Sequence, residues 1–162
     1  MSEGQPTVRS ADEQDKLDRA LVDLFEHRIT FNQVLGLKIE SVRPGDVRAS
    51  FGMRPELVGH HAYGRLHGGV ISATLDAMGG LALMVAIAER HPQDNTMQVM
   101  HRFMRMGTID LRVDYLRPGI GERFVATAEV TRLGGRIGST QMRLTDPAGK
   151  LLATGAGTYA VA

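Results

Sequence analysis

Asp76 stands near the middle of one of the most apolar stretches of this 162-residue chain, the run Gly69 to Ala88, which is rich in Ala, Met and Leu. A carboxylate is almost never fully buried without a partner. Asp76 is therefore either a structural acid satisfied by backbone donors or by an arginine from a neighbouring strand, or a functional group in a site. The residues ahead of the run bear on that choice. His67, Gly68 and Gly69 lead directly into it, and two glycines at a helix start allow close backbone approach while the first N–H groups point outward without intrahelical partners. Such an end binds a carbonyl oxygen that is turning into an oxyanion.

Composition removes several alternatives. Cysteine is absent, which excludes disulfides, thiolate nucleophiles and sulfur-rich zinc sites. A formal net charge of +1 gives no global reason to expect nucleic acid or a membrane surface as partner. No basic segment followed by a short apolar stretch follows Met1, so the expected location is cytoplasmic. Charge is unevenly distributed: residues 1–30 carry seven acidic and four basic side chains, whereas residues 97–143 carry eight arginines against four carboxylates. Arginine outnumbers lysine sixteen to three. Its planar fork of donors suits phosphate, although the codon bias of a GC-rich genome gives the same excess.

These residues need elements to position them, and 43% hydrophobic residues allow one ordinary core. Ser10 followed by Glu13 has the form of a capping box, and Leu17, Leu21, Leu24, Phe25 and Ile29 recur at helical spacing, which predicts an amphipathic helix over about 10–30. Pro44-Gly45 marks a turn between the run at 35–42 and the alternating Val47, Ala49, Phe51 and Met53, the pattern of a hairpin. Residues 54–67 read as a loop. The following helix must be buried on nearly all sides. Residues 89–106 read as a short helix or ordered crossover. Ile109, Leu111, Val113 and Tyr115 share one face of a strand, Phe124, Ala126, Ala128 and Val130 share that of another, and Gly134-Gly135 and residues 146–149 punctuate two more, at about 136–145 and 150–160. The expectation is a four-strand meander. With the hairpin it gives an α+β fold in which an antiparallel sheet curls around the buried helix. The same helix is long enough to span a membrane, but Asp76 and the pair Gly79-Gly80 argue against that.

The stretch Leu66-His67-Gly68-Gly69-Val70-Ile71, followed by Leu75-Asp76, resembles the signature of the phenylacetate-pathway (PaaI-like) type of hotdog thioesterases. Ile109 to Pro118 resembles the strand that follows the helix in that family. The resemblance runs from about residue 32 to the C-terminus, dividing the chain into an N-terminal helical extension (1–30) and a hotdog thioesterase domain (31–162). It implies that Asp76 is the general base or nucleophile, that the Gly69 N–H polarises the thioester carbonyl, and that His67 orients this region. Thr108 falls where the family often has a Ser or Thr beside the acid. His61 stands where it commonly has Asn; a neutral imidazole also donates one hydrogen bond, and the alternative is an exposed His60-His61 pair without a task. For coenzyme A the resemblance points to Tyr115, Arg117 and the loop Arg132, Gly134, Gly135, Arg136 and Ile137. The chemistry agrees, since the glycines free backbone N–H groups and the arginines supply charge for phosphates; a solvated hairpin turn with basic flanks is the plain alternative.

The implied activity is hydrolysis of acyl-CoA, with medium or long chains favoured by the pliable lining of Met78, Leu81 and Met84. Hydration or dehydration of an acyl thioester and non-catalytic acyl-CoA binding are the competing functions. A thiol leaves without a strong acid catalyst, its pKa being about 8.5, so the reaction calls for no metal or cofactor. Helix geometry adds a condition. Asp76 lies roughly 10 Å along the axis from Gly69 at about 1.5 Å per residue, too far for both to reach one reacting group. A second copy of the chain, antiparallel across a two-fold axis, would place each Asp76 opposite the other's Gly69, so a homodimer or a larger homo-oligomer is expected.

Overall fold

The computed structural model describes residues 8–162, so the first seven residues of the expected extension lie outside the described residues. The N-terminal segment folds as α1 (Ala11–Asp23), a π turn (Leu24–Arg28) and α2 (Thr30–Leu35) rather than as one helix to residue 30. Ile29 interrupts it in extended conformation, φ −83° and ψ 97°. Only half of the capping box forms. Ser10 accepts from the Glu13 N–H, but the Glu13 carboxylate accepts at 2.8 Å from the N–H of Thr96, tying α1 to a helix far along the chain. Leu17, Leu21, Leu24 and Phe25 enter the same hydrophobic core as the rest of the protein.

The expected hairpin is β1 (Lys38–Arg43) and β2 (Asp46–Gly52), joined where Gly45 takes φ 75°, a left-handed conformation that glycine adopts without steric cost. Residues 54–67 are more ordered than a loop: a 3-10 turn (Pro55–Leu57) precedes a small ribbon of β3 (Val58–His60) and β4 (Arg65–Leu66). Then come α3 (Gly68–Arg90), α4 (Thr96–Phe103), β5 (Gly107–Tyr115), β6 (Arg123–Leu133), β7 (Ile137–Thr145) and β8 (Leu151–Ala160). A full capping box of Asn95 and Gln98 starts α4.

The six long strands form one antiparallel sheet in the order β1-β2-β6-β7-β8-β5, so the four-strand meander is corrected: only β6, β7 and β8 run as one. β6 is paired by β2 on one side and β7 on the other, which leaves β5 the free edge of β8. The segment after β5 is accordingly no tight turn. Its backbone is spent on other partners, with Leu116 and Arg117 donating to the Leu152 carbonyl and Gly119 accepting from Leu66.

The sheet wraps α3, against which Phe124, Ala126, Met142 and Leu144 are buried at alternate positions of β6 and β7. Length and hydropathy alone would let α3 cross a membrane; in this fold it is the core helix. Gly79 lets it approach β8, since a Cβ there would lie 2.2 Å from the Tyr159 hydroxyl. Burial on nearly all sides is also corrected. The sheet covers one side, and Gly69, Ala73, Asp76, Ala77 and Gly80 form a stripe that is only partly covered.

Candidate active site

Asp76 sits on that stripe, not in the closed core. Its Oδ1 accepts a 2.9 Å hydrogen bond from the Thr108 hydroxyl, so the residue expected beside the acid is there, carried by the second position of β5. Oδ2 has no protein donor among the described residues, which leaves one carboxylate oxygen for a reacting group. On the backbone side the Tyr159 hydroxyl donates to the Asp76 carbonyl at 3.2 Å. Burial, reinforced by the nearby Asp76 charge, raises the phenol above its ordinary range, so Tyr159 stays a neutral donor.

Asp76 and Thr108 open onto a cavity of about 250 Å³ with walls from Phe25, Ile29, Asn32, Phe103 and the helix stripe. None of those wall residues was expected in the site, and the lining expected from Met78, Leu81 and Met84 is corrected: all three are fully buried in the core under the sheet and do not border this cavity. Phe25 and Phe103 are packed by the fold from segments nearly 80 residues apart in sequence, and no local pattern announces that meeting.

The helix start differs from expectation in one atom. His67 is the N-cap and its Nδ1 accepts from the Gly69 N–H at 2.8 Å, which requires that nitrogen to carry no proton. The donor assigned to the oxyanion is thus held by the residue assigned to orient it. The Gly68 N–H has no hydrogen-bond partner among the described residues, and it is the open donor at this end. Tyr115 closes over it, donating through its hydroxyl to the Gly68 carbonyl at 3.1 Å.

The residues assigned to coenzyme A separate into two groups. Tyr115 and Arg117 line a cavity of about 390 Å³ beside His67 and Gly68, with Arg117 donating to the Leu151 carbonyl at 2.8 Å. Gly134 and Gly135 border a cavity of about 220 Å³ at the opposite end of α3, where Arg90 donates to the Leu133 and Gly134 carbonyls. Arg132, Arg136 and Ile137 are exposed around that turn. The two ends of a 23-residue helix lie about 33 Å apart, so one chain does not bring these groups together. His61 is on the turn between β3 and β4, its ring stacked on His60 at 5.8 Å, and makes no hydrogen bond with Asp76. Among the described residues no group of three or more His, Asp or Glu side chains is placed to hold a metal ion.

Comparison with known proteins agrees with this geometry. Residues 63–153, from the turn before α3 into β8, match the thioesterase superfamily. The medium/long-chain acyl-CoA thioesterase YigI of Escherichia coli is 37% identical over 86% of this chain and 90% of its own length. Human acyl-coenzyme A thioesterase 13 is 30% identical over 85% of this chain and 89% of its own. A crystal structure from Shewanella oneidensis, described as related to the thioesterase superfamily, superposes with a TM-score of 0.86 at 34% identity, covering 94% of this chain and all of that one. With Asp76 and Thr108 paired beside an apolar cavity and matches that span nearly the whole chain, this protein belongs to the thioesterase superfamily and is a hotdog-fold thioester hydrolase.

Proposed function

We propose that the protein hydrolyses medium- or long-chain acyl-CoA in the cytoplasm, at two sites that each draw on both copies of a homodimer. The observation that carries this reading is the Asp76–Thr108 pair at the mouth of an apolar cavity. A carboxylate held at one oxygen, with the other free, suits either removal of a proton from water or direct attack on a carbonyl. In the water route the oxygen of water bonds to the carbonyl carbon while Asp76 takes its proton. The tetrahedral intermediate then expels sulfur, and the departing thiolate recovers that proton. Oxyanion donors are worth most where water is excluded, which an open helix stripe in a lone chain does not provide.

Two features support a second copy. The open backbone donor at the start of α3, the Gly68 N–H, lies about 12 Å along the axis from Asp76. The stripe facing outward is made of small residues, and β5 is a nine-residue edge strand with Ile109 56% exposed and Tyr115 55% exposed. Its outer edge pairs with no other strand among the described residues, and an unpaired edge is a template for pairing with another strand. An antiparallel pair of α3 helices would set Asp76 beside the partner's Gly68, with Tyr115 and Arg117 of the partner subunit next to the sulfur. The Arg132–Ile137 turn of the first chain, about 21 Å from Asp76 along α3, is then the phosphate anchor. Residues 1–30 precede the hotdog domain, and Phe25 and Ile29 of this segment wall the cavity.

The test is a panel of acyl-CoA esters of increasing chain length with release of free thiol as readout. Turnover that favours medium or long chains is expected. Stoichiometric binding without thiol release at any length would make the protein a binding module instead.

A further inference from the structure

The N-terminal segment contributes more than a helix packed on the outside. Its π turn widens the helix by one residue, with the Ile29 N–H reaching back to the Leu24 carbonyl, and π turns concentrate at functional sites. The Phe25 carbonyl, released from its ordinary helical donor, accepts from the side-chain amide of Asn32 at 3.0 Å. Asn32 is only 3% exposed, so this bond is shielded from water and fixes where the turn points. Phe25 is thereby aimed at Phe103, the last residue of α4. The two rings meet edge to face, 5.8 Å between centroids and 66° between planes. This pair borders the cavity into which Asp76 opens.

On the opposite wall Gly80 follows Asp76 by one helical turn, so it lies on the same face about 6 Å further along the axis. A Cβ built at Gly80 meets nothing within 4 Å. That contrasts with its neighbour Gly79, where the same atom would collide with Tyr159. Close packing explains Gly79, whereas Gly80 lines the cavity into which Asp76 opens.

We propose that the acyl chain runs from the thioester at Asp76 past Gly80 into the recess closed by the Phe25–Phe103 pair, so that Gly80 and Phe103 set the chain length the enzyme accepts. This rests on the acyl-thioester reading above and deepens it. Asn32 is a positioning residue that acts through Phe25, and the segment preceding the hotdog core is the acyl-binding wall. Each methylene that leaves water is worth about a factor of four in affinity. A side chain that displaces two or three methylenes therefore changes chain-length discrimination by tenfold or more.

The experiment measures kcat/KM across saturated acyl-CoA esters for the full-length wild type and for Gly80→Ala, Gly80→Leu and Phe103→Ala. The quantity compared is the ratio of the longest to the shortest substrate turned over. Gly80→Leu is expected to lower that ratio at least tenfold and Gly80→Ala to lower it less, whereas Phe103→Ala raises it and moves the optimum to longer chains. Gly80→Ala adds only one methyl group at the cavity wall, so it keeps the test decisive if the larger substitution fails to fold. Variants that scale every substrate by one common factor would overturn the assignment of the recess while leaving the thioesterase reading intact. A wild type inactive on every ester would instead sink that reading.

Discussion

Asp76 has two kinds of partner, and they divide its roles. Tyr159 holds its backbone and Thr108 holds one carboxylate oxygen, so the group is fixed in direction without being neutralised by a cation. An Asp satisfied by an arginine from the sheet, the structural alternative open in the sequence, does not occur: none of the ion pairs among the described residues includes Asp76. Asp76→Asn preserves size and can still accept from Thr108, yet it loses the base or nucleophile. It is predicted to reduce kcat by at least about a hundredfold with an unchanged melting temperature. Wild-type kcat at saturating acyl-CoA would make Asp76 a structural residue. Asp76 and His67-Gly68-Gly69 were legible in the sequence because each is marked by a short local pattern, whereas Thr108 was pointed to only by the resemblance to hotdog thioesterases. The occupation of the Gly69 N–H by His67 was not, since it depends on a side-chain rotamer.

At the scale of elements, β5 shows the limit of reading periodicity. Alternation identifies a strand and its two faces but not its neighbour, and the neighbour was decided by β2 taking the edge of β6. The cavity wall was hidden for the same reason. Phe25, Asn32 and Phe103 look like ordinary members of three separate elements until α1 and α4 are brought together. The bond between Glu13 and the Thr96 N–H is one of the ties that does this. That bond, with the Thr96 hydroxyl and Lys16 assisting, lowers the Glu13 pKa from its ordinary 4.5. A carboxyl whose folded pKa is depressed contributes stability above its unfolded value and loses it as pH falls through the folded one. Glu13→Gln replaces a charge-assisted bond with a neutral one, so it is predicted to lower the melting temperature at pH 7. The deficit should shrink as pH drops below about 4.5 and vanish once the wild-type carboxyl is protonated. A deficit that stays constant over that range would show that the charge contributes nothing to the junction.

At the scale of the whole molecule, a single chain holds the acid and the helix-start donor but keeps them apart. Among the described residues it also leaves a helix stripe of mostly small residues only partly covered and β5 as a nine-residue edge strand. A two-fold copy resolves all of these together, which makes the shared site the central claim. The measurement that tests it is the activity of purified mixed dimers. One chain carries Asp76→Ala. The other is disabled at the helix start by Gly68→Pro or Gly69→Pro, whichever folds and dimerises but is inactive alone. Proline is tolerated in the first turn of a helix, and His67 already has the extended conformation, ψ 138°, that a following proline favours. In the mixed dimer one site collects both lesions and the other collects none, so thiol release from acyl-CoA is predicted to return although each parent is inactive. Mixed dimers as inactive as both parents would contradict the account.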